Sequence, residues 1–239
     1  MLTNLGASMA AAGNTVTLLD ACLAPRGVAA QLGLRPGATL QDVAHQERAL
    51  NEVAQSMSQG FGVVSLTRGP LRRSVLDVDH ARRLANAFGV FASQTDILLV
   101  DAELDVDDAL PLTAMANGEI VVQVSPDAAS IKQAYGIVKR LNAQLGRRPF
   151  SVLVTGATET QAKLVFDNMA QAASRYLAVQ LRFIGSVPAD EHVTRATRLG
   201  RSVTDAFPLA LASVAFRRLA GRFGLADGGR ALTGAFSGA

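Results

Sequence analysis

Two apolar runs in this sequence close on an aspartate: Thr15-Val16-Thr17-Leu18-Leu19-Asp20 and Ile97-Leu98-Leu99-Val100-Asp101. A carboxylate at the end of a buried run is costly unless it is paired, hydrogen-bonded or wet. Ligands of parallel α/β sheets gather at the carboxyl ends of strands. Position alone leaves two readings of Asp20 and Asp101 level. They cap neighbouring helices or loops, or they hold the waters of a magnesium ion beside a nucleotide, as hard oxygen ligands do. Cys22 is the only cysteine. Nothing near it in sequence is set to lower its pKa, so it reads as a small apolar loop residue rather than a reactive thiol. It allows no internal disulfide and no cysteine zinc cluster, and a reducing compartment suits it. His45, His80 and His192 are scattered without ligand spacing and read as surface or helix-packing residues.

The elements that must position the two acids follow from periodicity and punctuation. Leu2 to Ala12 reads as a helix of small residues stopped by Gly13. Strands follow over Thr15–Asp20, Phe61–Leu66, Ile97–Asp101, Glu119–Val124, Phe150–Thr155 and Leu181–Val187. Between and after them lie helices over Leu40–Gln55, Asp77–Phe91, Ala128–Leu145 (opened by Ser125-Pro126-Asp127), Glu159–Tyr176, Glu191–Leu199 and Leu209–Phe223. Continuous apolar strands alternating with helices predict an α/β fold, a mostly parallel sheet with helices on both faces. No linker divides the chain. Residues 1–225 are expected to form one domain, and residues 226–239 a flexible tail.

Net charge is 23 − 20 = +3, with the basic residues dispersed, so composition does not single out nucleic acid or membrane. Tryptophan is absent, which argues against stacking platforms for single strands. No run is apolar over the ~20 residues a membrane span needs, and the opening residues lack a secretion signal. A cytoplasmic location is the expectation.

Several stretches resemble the MinD/ParA-type P-loop ATPases. Asn4-Leu5-Gly6-Ala7 followed by Gly13-Asn14-Thr15-Val16-Thr17-Leu18-Leu19-Asp20-Ala21 is similar to their first helix and second strand. Pro25-Arg26-Gly27-Val28 through Leu32-Gly33-Leu34 matches the segment leading to their LGL motif, and Asp96 to Asp101 looks like their Walker B strand. Ile120 to Tyr135, with Ser125-Pro126-Asp127, resembles the next family stretch, and Ile184-Gly185-Ser186-Val187-Pro188-Ala189-Asp190 the loop beside adenine. Arg201 to Pro208 and Ala215-Phe216-Arg217-Arg218-Leu219-Ala220 look like the ending of the flagellar-number regulators of the FlhG/FleN type. The likeness covers essentially the whole chain.

The resemblance implies ATP and magnesium as ligands, face-to-face dimerisation around ATP, and slow hydrolysis. By position, Asp20 and Asp101 would hold the magnesium through water. Thr155, Pro188 and Asp190 would line the nucleotide site. A flagellar transcription activator, or a basal-body or export protein, is the implied partner. Four departures stand against full activity. The glycine-rich loop ending in Lys-Thr that the family places just before the first helix is not in the sequence, nor is the strand before it. Without them phosphate affinity should collapse and sheet edges should lie unpaired. Cys22 stands where the switch aspartate is expected, and a thiol polarises water poorly. Ala102-Glu103-Leu104-Asp105 replaces a glycine, with Asp105 expected to repel phosphate. Thr155 replaces an asparagine that reads adenine.

The reading is therefore a regulator of flagellar number with weakened or lost ATP hydrolysis, binding nucleotide poorly or not at all. Two alternatives stay open. One is an active ATPase whose phosphate loop lies upstream of Met1. The other is a cellulose-synthesis accessory protein, since such relatives share the Asp20-Ala21-Cys22 pattern. Val214–Phe223 has a basic and an apolar side, which allows peripheral contact with the inner membrane, although a helix docked on the domain is the favoured account. Arg72, Arg73, Arg82 and Arg83 read as a solvated helix face, and nucleic acid is not the expected partner.

Overall fold

The apolar runs become the inner strands of one sheet, because each is flanked on both sides by helices that need an apolar face to cover. The computed structural model describes residues 1–24, 26–35, 37–69, 77–105, 107–224 and 232–237. Its helices are α1 (Leu2–Ala11), α2 (Val28–Gln31), α3 (Leu40–Ala44), α4 (Val78–Ala92), α5 (Ala128–Leu145), α6 (Glu159–Leu177), α7 (Glu191–Arg198), α8 (Val203–Ala206) and α9 (Leu211–Gly224). Its strands are β1 (Val16–Ala21), β2 (Gln55–Ser56), β3 (Gly62–Ser65), β4 (Ile97–Ala102), β5 (Ile120–Val124), β6 (Phe150–Thr155), β7 (Leu181–Val187) and β8 (Leu232–Ser237). The spatial order is β2-β3-β1-β4-β8-β5-β6-β7. Every pairing is parallel except the short β2–β3 one.

Strand alternation divides the core into two layers. Leu19, Ala21, Leu98 and Val100 face a layer built with Leu84 and Phe88 of α4, Val138 of α5 and Met169 of α6. Val16, Leu18, Ile97 and Leu99 face the other layer, with Leu5 and Met9 of α1, Val28 of α2 and Phe216 and Leu219 of α9. The α/β class and the two-sided cover follow the sequence reading.

Local chemistry fixes the helix ends. Asp77 caps α4 by accepting from the His80 N–H at 2.7 Å, and Asp127 caps α5 through the Ser130 N–H at 2.9 Å. Gly13, at φ +94° just past α1, takes the left-handed turn that a Cβ would resist. The helix expected over Leu40–Gln55 is shorter than its pattern. Gln46 turns to φ +63°, α3 ends before His45, and the chain goes on through a single 3-10 turn at Leu50–Glu52 into β2.

The tail departs from expectation too. Residues 232–237, expected within a flexible segment, form β8 and pair in parallel with both β4 and β5. The edges expected to lie unpaired inside the sheet are thereby bonded. An open ladder of N–H and C=O groups in a sheet interior is expensive, and this run has neither charge nor proline to oppose insertion. Arg72 and Arg73 lie outside the described residues. Arg82 pairs with Asp79, and Arg83 donates to the Ala44 carbonyl at 2.9 Å.

Candidate functional site

β1 and β4 are neighbours, and their register sets Asp20 opposite Asp101. Both side chains share the sheet face of Leu18 and Leu99, under α1 and α2. The carboxylates are held chiefly by backbone. Asp20 Oδ1 accepts from the Cys22 N–H at 3.1 Å and Oδ2 from the Ala29 N–H at 2.8 Å. The Val28 N–H bonds to Asp101. The first turn of α2 thus serves both acids. This approach requires Gly27, because a Cβ there would sit 2.1 Å from Asp20 Oδ1.

Electrostatics at the pair are unfavourable. Burial, followed by the neighbouring charge of Asp20, pushes Asp101 up to about 6 against partial relief from Val28. Burial also raises Asp20, with its two backbone bonds working the other way and Glu103 adding repulsion. Among the described residues no lysine, arginine or histidine side chain pairs with either acid, and a hydrated divalent cation would supply positive charge there. Among the described residues no group of three or more His, Cys, Asp or Glu is placed to hold a metal, so two carboxylates and water make up the donor set.

Cys22 Sγ donates to the Asp101 backbone carbonyl at 3.6 Å. Burial and the charges of Asp101, Asp20 and Glu103 push the thiol up, so it stays neutral and protonated. Over it, Arg26 and Glu103 form an ion pair that joins the loop after β1 to the loop after β4. Neither this latch nor the demand on Gly27 is among the sequence expectations: Arg26 and Gly27 lie in a stretch that resembles the family, and Glu103 in one that departs from it. Asp105 departs from expectation. It is buried, and its Oδ1 accepts from the N–H groups of Asp107 and Ala109, each at 2.9 Å, so it shapes its own loop.

Thr155, Pro188 and Asp190 lie at the same rim but further along it. Thr155 ends β6, three strands from Asp101, or ~14 Å at normal strand spacing. It receives a bond from Gln123 Nε2 at 3.4 Å. Pro188 follows β7. Asp190 spends its carboxylate on protein: it accepts from the His192 N–H at 2.9 Å and the Ala212 N–H at 3.0 Å, and contacts His192 Nδ1 at 2.7 Å. It ties α7 to the start of α9 instead of presenting free oxygens to a base.

Against known proteins, no family model matches the sequence. Over 218 residues, 91% of this chain and 78% of the relative, it is 32% identical to the antiactivator FleN of Pseudomonas aeruginosa. The chain belongs to the MinD/ParA family of P-loop ATPases. A second MinD/ParA relative, a protein described as a septum site-determining MinD of Emiliania huxleyi, is 24% identical over 223 residues, 92% of this chain and 80% of that one. The MinD/ParA fold is shared with the cell division ATPase MinD of Pyrococcus furiosus, at TM-score 0.67 and 17% identity over 93% of this chain and 90% of that one. It is shared also with MinD of Aquifex aeolicus, at TM-score 0.66 and 19% identity over 96% and 92%.

Of the family's ligands, a magnesium ion held through water suits the Asp20–Asp101 pair, whose oxygens face one another across β1 and β4.

Proposed function

We propose that this chain is a MinD/ParA-type regulator that restrains flagellar biogenesis through protein contact, its partner a flagellar transcription activator, with ATP hydrolysis weakened or lost. The partner class rests on the likeness to an antiactivator. The weakened chemistry rests on one observation above all: the loop after β1 offers a neutral thiol at Cys22, already bonded to the Asp101 carbonyl, where a carboxylate would have to position water. Asp20 and Asp101 would hold magnesium through water; Thr155 and Pro188 would flank a nucleotide's base. A solved MinD from Pyrococcus horikoshii is described as complexed with Mg-ADP, which supports nucleotide as the ancestral ligand. The chain is proposed to act in the cytoplasm. No described helix is long and apolar enough to cross a membrane. Phe216, Leu219 and Ala220 of α9 are buried in the domain, so the docked helix does not offer that apolar side to a bilayer.

The deciding experiment measures the purified chain's binding to the activator and its effect on activator-dependent transcription, with Mg-ATP titration alongside. Binding and repression with no measurable turnover are expected. Turnover at a rate usual for the family, or no effect on transcription, would overturn the reading.

A further inference from the structure

Outside the acid pair, an apolar groove lies between α5 and α6. It is lined by Ile131, Tyr135, Met169, Ala172 and Tyr176, with Lys132 as its only charged wall, and encloses about 520 Å3. Tyr176, on its rim, is 69% exposed. A large apolar side chain left in water beside an apolar groove carries a free-energy cost that a covering partner would remove.

Charge says what the partner must bring. The chain uses arginine almost everywhere a cation is needed, and its only lysines are Lys132 and Lys139 on α5 and Lys163 on α6. All three are exposed. None of them has an ion-pair or hydrogen-bond partner among the described residues. Ala128, Lys132, Tyr135 and Lys139 recur at helical spacing on one side of α5, so the lysines edge the same stripe that lines the groove. Arg175 adds a cation beside Tyr176, its guanidinium 5.4 Å from the ring centre. An apolar furrow edged by unpaired cations complements an amphipathic helix with apolar residues at i, i+3, i+4 and i+7 and carboxylates along its flanks.

We infer that the α5–α6 groove is the docking site for an acidic amphipathic helix of the protein partner. The inference rests on the proposed regulator role, whose partner it equips with a recognisable element.

The test uses the full chain and two probes. The first is a helix-forming peptide of about 18 residues with leucines at that spacing and glutamates on its flanks; the second is the activator itself. The peptide is expected to bind, more weakly as salt rises. Lys132→Glu and Tyr176→Ser should each weaken it about tenfold, and a peptide with lysines for glutamates should recover affinity for a Lys132→Glu/Lys139→Glu chain. Carbodiimide coupling should join peptide carboxylates to Lys132 and Lys139. No peptide binding, or binding that neither variant alters with the melting profile intact, overturns the inference. So does capture of the chain by phosphatidylglycerol vesicles that Lys132→Glu abolishes, since that assigns the surface to lipid. If the peptide arm succeeds and the activator fails to bind at all, the groove stands and the regulator role falls. If the activator binds while the peptide arm fails, the role stands and the groove falls.

Discussion

Replacing Asp101 by asparagine should make the protein more stable at pH 8 and leave it nearly unchanged at pH 4. Asp101 is 9% exposed and is pushed up to about 6 by burial and by Asp20. An unfolded aspartate titrates near ~3.9. Below ~4 the group is protonated in both states and costs nothing. Between ~4 and 6 the unfolded chain releases its proton while the folded chain keeps it, so stability falls as pH rises. Above 6 the loss levels off at ~3 kcal/mol from the difference of about two pKa units. The Asp101→Asn side chain keeps the shape and can still accept from the Val28 N–H, so the variant should recover most of this, about 2 kcal/mol. For a domain of this size that is a rise of ~4–8 °C in melting temperature. Thermal denaturation of both proteins from pH 4 to 8 reads the difference directly. An equal shift at both ends, or destabilisation at pH 8, would refute the claim that the acid pair is uncompensated.

Magnesium chloride alone should raise the melting temperature of the wild-type chain at pH 8 and have little effect on Asp101→Asn; equal shifts would deny the pair a role in holding the ion. Gly27→Ala should lower stability by about 1–3 kcal/mol, because the new methyl group must displace a carboxylate held by two N–H groups; an unchanged chemical-denaturation midpoint contradicts this. His80 is 4% exposed, its Nε2 lacks a partner, and its ring centre lies 4.2 Å from that of His45. Burial, then His45 and Arg83, lower its pKa. Stability is therefore expected to fall as pH drops below ~6.5, where the unfolded histidine takes up its proton first, and His80→Leu should flatten that slope. Asn4→Ala should cost about 1–3 kcal/mol, since buried Asn4 Oδ1 accepts from the Val203 N–H at 2.8 Å and joins α1 to α8; a smaller loss in the same unfolding assay would count against it.

The parallel architecture was legible because apolar strands such as Ile97–Val100 and Phe150–Val154 have only one way to be covered, by helices on two sides. The acid pair was legible for a related reason: two strands ending on aspartate at equivalent points must present them at one rim if they become neighbours. Less could be read where contacts at long range decide. The Arg26–Glu103 latch joins loops 77 residues apart, and no local pattern announces it. His45 and His80 have no ligand spacing, yet the packing of α3 on α4 stacks their rings. The shortness of α3 depends on the turn at Gln46, a residue whose type does not demand it. Asp190 was matched to a loop by its neighbours in sequence, whereas its carboxylate answers to Ala212, which only the docking of α9 brings near.

The place of β8 has a mechanical consequence. It bonds to both β4 and β5, so it stitches the panel that carries Asp20 and Asp101 to the panel that ends in Thr155 and Val187. Withdrawing it would strip one side of each of two interior ladders at once. Amide protons of β4 and β5 that face it should therefore exchange with solvent together, in a single opening event, while those between β6 and β7 stay protected.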